Sequence, residues 1–281
     1  MSVETRSRAP ELRDVHASSK LGPYLADLWT RRSYIWYVAT NELRQRQITS
    51  VLGNLWHLLN PALTIGVYYV IFGLVLKTTR GVENFFLFLT VGLFVFQFTQ
   101  KATIDGAKSI VTNKGLIKAV QFPRALLPIS STVTELLAMA PNFVVLYAVA
   151  LLSGVTPSVR WLSMIPIIGI QFVFSLGTAM IAARMTTHFI DTIQILPFIF
   201  RLILYGSGVI FNVDSYVESG GIAELIFKLN PIYCFITLAR WSVMGGEFPA
   251  TLMVIAIGWS VAMLVGGFLW FRAAEERYAR D

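Results

Sequence analysis

The chain has 281 residues, 55% of them hydrophobic and 14% charged, with a formal net charge of +7, a single cysteine and a mean hydropathy of +0.63. Soluble domains carry about 25% charged residues, so this composition excludes a soluble enzyme; it also excludes intrinsic disorder, which needs low hydrophobicity, and a disulfide or Cys-rich metal scaffold. It fits an all-α integral membrane protein, because charge-poor runs reach helix-spanning length here, whereas a membrane β-barrel shows only short alternating segments.

Residues 1–23 are polar, lack the apolar core of a secretory signal peptide, and read as a cytoplasmic tail. Over residues 24–47, apolar Tyr24, Leu25, Leu28, Ile35 and Val38 fall near helical spacing with Arg31, Arg32, Arg44 and Arg46 among them. That is the pattern of an amphipathic helix lying in the membrane interface. Residues 48–271 hold six runs suited to about 30 Å of hydrocarbon: Leu58 to Leu76, Asn84 to Gln100, Ser130 to Leu152, Trp161 to Ala183, Thr192 to Val213 and Phe248 to Phe271. A basic loop, Gly106 to Pro128, separates the second run from the third. Between the fifth and sixth, Ile222 to Phe227 and Leu229 to Ala239 are apolar but too short to cross, and Asn230 and Pro231 split them. Pro cannot continue a helix and favours its first turn, so two short re-entrant helices are expected. Residues 272–281 form a second tail.

Of the 23 Lys and Arg residues, seventeen fall in segments on the side of the N-terminus and five on the other. The positive-inside rule then places both termini in the cytoplasm of a multi-pass inner-membrane protein. The same clustering speaks against nucleic acid as a partner, since no basic stripe interleaved with aromatics occurs.

The three histidines are far apart, no HExxH or CxxC spacing exists, and no glycine precedes a lysine, so neither a metal site nor a phosphate-cradling GxxxxGK loop is expected. Only Glu135 is acidic within a run, against the clustered carboxylates that a membrane enzyme of glycolipid synthesis needs. Arg201 lies about ten residues into the fifth run, near 15 Å deep at 1.5 Å per residue, where an unpaired charge is costly. Glu135 sits at similar depth in the third run, which leads us to expect a Glu135–Arg201 ion pair.

SVLGNLWHLLNPAL, from Ser50 to Leu63, resembles the start of the first span of type-2 ABC exporter permeases. NKGLIKAVQFPRALLP, Asn113 to Pro128, resembles their coupling segment; YGSGVIF, Tyr205 to Phe211, with LNP, Leu229 to Pro231, resembles the end of the fifth span and the outer gate. The likeness runs from about Tyr24 through nearly the whole chain and is nearest to the O-antigen and cell-wall polysaccharide exporters of the Wzm type. Many relatives have Ser-Pro where this chain has Ser207 and Gly208, which weakens transfer of detail at the outer gate.

The resemblance implies a permease that pairs with a second copy of itself and with two ABC ATPase subunits, moving a polyprenyl-pyrophosphate-linked polysaccharide, O-antigen-like or a cell-wall galactan. ATP and magnesium belong to the ATPase and no cofactor to this chain. It further implies ATPase docking through Leu116, Ile117, Phe122 and Arg124, with Phe122 as apolar anchor and Arg124 as rim contact. Lipid phosphate would be received at the cytoplasmic entrance by Arg31, Arg32, Arg44 and Arg46, in contact with membrane lipid. Tyr68, Tyr69, Phe72, Phe198 and Tyr205 would line the channel, where aromatic faces let sugars slide, and Asn230 and Pro231 belong to the outer gate. The alternatives are a type-2 permease for teichoic acid, lipid or drug, or a glycolipid-synthesis enzyme.

Overall fold

The computed structural model describes residues 21–45, 56–77, 79, 81–120, 122–215 and 221–275, and all their regular structure is helical. Twelve α-helices follow in order among them: α1 Leu21–Thr30, α2 Arg32–Gln45, α3 Trp56–Tyr68, α4 Phe85–Thr112, α5 Lys114–Ala119, α6 Leu126–Ala138, α7 Ala140–Leu152, α8 Met164–His188, α9 Thr192–Gly206, α10 Ile222–Leu229, α11 Pro231–Met244 and α12 Ala250–Arg272. α3 continues into a π-helical stretch, Tyr69–Val75, and a 3-10 turn, Val159–Ser163, leads into α8.

Four helical spans are long and apolar enough to cross a membrane: α4, the Leu126–Leu152 pair α6–α7, Val159–His188 with α8, and α12. Two shorter apolar helices, Leu59–Val75 and α9, and the pair α10–α11, bent by 80°, complete the apolar set. α4 starts under an Asn84 cap whose side chain accepts from the Leu87 amide, satisfying one of the orphan donors of a helix start. It lies at the centre of the bundle, with Leu87, Leu89, Val91, Leu93 and Phe96 all buried.

Because lipid is as apolar as leucine, helices in a membrane associate through close packing and buried hydrogen bonds. Both appear here. The Gln171 side chain on α8 donates to the Val95 carbonyl at 2.7 Å and to Thr99 Oγ1 at 2.9 Å, and Thr103 pairs with Thr178 at 2.9 Å. α8 and α12 touch backbone to backbone: a Cβ on Gly177 would lie 2.3 Å from the Met263 carbonyl carbon, and one on Gly267 would lie 2.4 Å from the Gly177 oxygen.

Three boundaries depart most from the sequence reading. The second run does not end at Gln100; α4 continues to Thr112, since backbone hydrogen bonds carry a helix past Lys101 and Asp105 once one side is packed. The fifth run stops at Gly206 rather than Val213, because Gly208 takes φ +62°, which no helix contains. The amphipathic segment is two helices, α1 and α2, separated at Arg31.

Candidate functional site

At one end of the bundle, called here the basic end, α1, α5 and the ends of α4, α8 and α12 meet over a compact apolar cluster. Tyr24, Ile110, Ile117, Leu127, Met180 and Phe271 are its buried members, with Leu28, Leu116, Phe122 and Phe268 packed against them. Of the four expected docking residues, Ile117 is buried, at 7% exposed, while Leu116 and Phe122 are half-buried against the cluster, the Phe122 ring 6.5 Å from that of Tyr34. Arg124 is no free rim contact either. Its backbone amide donates to Glu275 Oε1 at 2.7 Å, and its Nη1 is buried with no hydrogen-bond partner among the described residues. The outward face of α5 is instead Lys114, Gly115, Lys118 and Ala119, followed by Val120. Beside it opens a cavity of about 180 Å³ lined by Lys114, Thr187 and His188 among others.

Glu275 also accepts from the Tyr24 hydroxyl at 3.1 Å, so the residue just past α12 ties α1 to the turn before α6. Burial pushes the Glu275 carboxyl above the ordinary glutamate value, against the opposing effect of its two donors. Burial and the neighbouring carboxylate push the Tyr24 hydroxyl up as well, so it stays protonated and donates.

α3 with its π-helical end, and α9, each leave aromatic and aliphatic side chains exposed or half-buried. Tyr68 and Phe72 stack at 5.9 Å. Phe198 and Tyr205 are exposed, and the Arg201 guanidinium lies 5.6 Å from the Phe198 ring. Arg201 and Tyr205 come within electrostatic reach of Tyr68, and Tyr68 and Phe72 are half-buried against the main apolar core. Tyr69 turns away and packs edge-on against Phe86 of α4 at 5.0 Å.

At the opposite end, Asn230 caps α11 by accepting from the amides of Ile232 and Tyr233, with Pro231 in the first helical position. Its amide group donates to the Gly206 carbonyl at 3.2 Å and to Ser207 Oγ at 2.9 Å. Arg240, one of the five basic residues counted on the side away from the N-terminus, reaches from α11 to the Gly208 and Val209 carbonyls, each at 2.9 Å, and its guanidinium lies 3.2 Å from the centre of the Phe88 ring. The available signal was an arginine inside an otherwise apolar helical run.

The pattern of the ABC-2 type transporter family matches residues 33–244, from α2 through α11. The chain belongs to the ABC-2 type transporter family. It is similar to the O-antigen export system permease protein RfbA of Klebsiella pneumoniae, 28% identical over 243 residues that cover 86% of this chain and 92% of that protein. It is also similar to the O-antigen export system permease protein RfbA of Myxococcus xanthus, 25% identical over 256 residues covering 91% and 97%.

In this ABC-2 transporter chain the expected Glu135–Arg201 ion pair does not form. Glu135 is buried on α6, next to Thr134, which donates to Glu42 of α2, while Arg201 sits over Phe198 on α9. Equal depth did not put the two side chains on facing sides. The expected arginine group is likewise spread out: Arg31 is held by Asp27 at 3.0 Å, Arg32 lies over Trp29, and Arg44 is at the far end of α2. Arg46 and the Ser50–Leu55 part of the first-span motif lie outside the described residues. Among the described residues, no three His, Cys, Asp or Glu side chains gather as a metal-ligand set. ABC-2 chains are transport subunits, and the apolar spans make this one a multi-pass membrane protein.

Proposed function

We propose that this chain is the membrane permease of an exporter that moves a polyprenyl-pyrophosphate-linked polysaccharide, O-antigen-like or a cell-wall galactan, from the cytoplasm to the outer face of the inner membrane. The observation that carries the reading is the nearly full-length likeness to two permeases named for O-antigen export. Six crossings are assigned to α3 with its π-helical end, α4, α6–α7, α8, α9 and α12, with the basic end and both termini cytoplasmic. α10–α11 dips in from the outside. α9, at 15 residues, is short for about 30 Å of hydrocarbon, which suits a helix that borders a hydrated path rather than lipid on every side.

Two copies enclose the path, each contributing Tyr68, Phe72, Phe198 and Tyr205. Aromatic faces pack on the apolar C–H faces of sugar rings without one fixed hydrogen-bond register, so a polymer slides along them, and Arg201 offers donors to sugar hydroxyls. Two ABC ATPase subunits, which hold ATP and magnesium, dock against Lys114, Lys118 and Val120. Force on α5 passes through Leu116 and Ile117 into the cluster shared by α8 and α12, and cargo contacts that differ between the two states set direction.

Depletion of the chain in its native cell tests this. Long polyprenyl-linked polymer should accumulate on the cytoplasmic face of the inner membrane; arrested synthesis, or unchanged glycans on both faces, would overturn the reading.

A further inference from the structure

The last turn of any α-helix leaves carbonyls without intrahelical partners, and at membrane depth no water satisfies them. α9 ends at Gly206, and the chain that follows is unwound yet buried within the protein, so its carbonyls need protein donors: Ser207, Val209 and Ile210 are all enclosed. The missing donors come from one other element, α11. Asn230, at its first turn, covers the Gly206 carbonyl and Ser207 Oγ. Arg240, ten residues on, covers the Gly208 and Val209 carbonyls with Nη1 and Nη2. The same guanidinium donates through Nε and Nη2 to the Phe88 carbonyl on α4 at 3.3 Å and rests on the Phe88 ring.

Arg240 holds this place without an acidic partner among the described residues. Backbone carbonyl oxygens are the negative ends of peptide dipoles, and a planar fork of five donors can meet several of them at once. Lysine carries the same charge but not the fork. The space is also shaped for it, since a Cβ on Gly92 of α4 would lie 2.8 Å from Nη2 of Arg240 and 3.1 Å from the Val209 oxygen.

We infer that Arg240 is a positioning residue for transport: with Asn230 it joins the unwound end of α9 to the bent pair α10–α11 as one mechanical unit, so the external closure of the path follows α9. The inference rests on the exporter reading proposed above. If it holds, α9 cannot shift while α11 stays, and the outer end opens only when the path-bordering helix moves.

The test uses the permease together with its ATPase in vesicles, comparing wild type with R240K, R240Q and N230A for ATP hydrolysis, cargo export and leak of a sugar-sized dye. With the unit broken, hydrolysis should stay within about twofold, export should fall about tenfold, the order of a coupling free energy, and dye leak should rise; N230A, which removes one grip, should change the readouts in the same direction and less. Hydrolysis, export and assembled complex falling in parallel would reduce Arg240 to a folding role and overturn the inference, as would unchanged export and leak. Should wild type export nothing, the exporter reading fails, and amide exchange decides the interlock alone. R240K must then speed exchange in residues 206–211 and in α11 together, and acceleration in only one of them overturns it.

Discussion

The backbone amide of Arg124 and the carboxylate of Glu275, 151 residues apart, meet at 2.7 Å. The same oxygen takes the Tyr24 hydroxyl, so three distant segments share one acceptor where the ATPase is proposed to push. Glu275→Ala should destabilise the detergent-solubilised protein by about 1–3 kcal/mol, the cost of leaving a buried donor without a partner. Glu275→Gln, which keeps an acceptor oxygen, should recover most of it. Thermal unfolding of the two variants checks this.

Glu275 also sets a pH dependence. Its carboxyl is raised in the folded protein, chiefly by burial, so its contribution is complete below the ordinary glutamate value and is lost as pH rises through the raised one. Unfolding temperature should carry a component that declines with pH over that acidic window, and Glu275→Gln should remove it. A wild-type and variant profile of equal slope would contradict the assignment.

Residues of α5 should separate into two classes. Ile117→Ala creates a cavity in the cluster and should cost about 2–4 kcal/mol. Val120, 51% exposed, and Lys118 should tolerate Val120→Ala and Lys118→Glu with stability within about 0.5 kcal/mol, while ATPase binding weakens. Co-purification of the ATPase set beside thermal unfolding distinguishes the classes.

Gly177→Ala should be among the most damaging single-methyl changes, because its Cβ would meet backbone rather than a movable side chain. A cost of about 1–3 kcal/mol is expected for such overpacking. Gly169→Ala on the same helix, where nothing lies within 4 Å, should be neutral or slightly stabilising. Folded yield after size exclusion reports both.

Phe198→Ala and Tyr205→Ala remove exposed rings, 62% and 50% accessible, and should leave folding intact while slowing export. Equal export rates would remove these rings from the path.

Much of this architecture was legible because apolarity and length suffice for it. α12 falls within two residues of the expected run, Phe248 to Phe271, since no charge interrupts it and Pro249 precedes it. The break between α10 and α11 falls at Asn230 and Pro231, where cap and first-turn chemistry put it. What misled was the equation of apolar with helical. Residues 207–212 are mostly apolar yet unwound, and α4 is helical beyond its apolar part. Side-chain direction was the other blind spot: depth is a count of residues, but facing is a rotation about the axis. Hence Ile117 points inward, Glu135 and Arg201 do not meet, and Arg240, which entered the sequence reading only as one charge in an orientation count, holds three elements together.

The backbone contact of Gly177 with Gly267 also has a consequence for biogenesis. Chains emerge N-terminus first, so α8 is threaded into the bilayer while its most intimate neighbour is still unmade, and until then its Gly177 face is open to lipid or to chaperones. α12 brings both Gly267 and the approach to Glu275, so a single late insertion closes the middle of the bundle and fastens the turn at Arg124. A nascent chain interrupted before α12 would therefore present an unfilled slot, a feature by which membrane quality control could tell unfinished copies from completed ones.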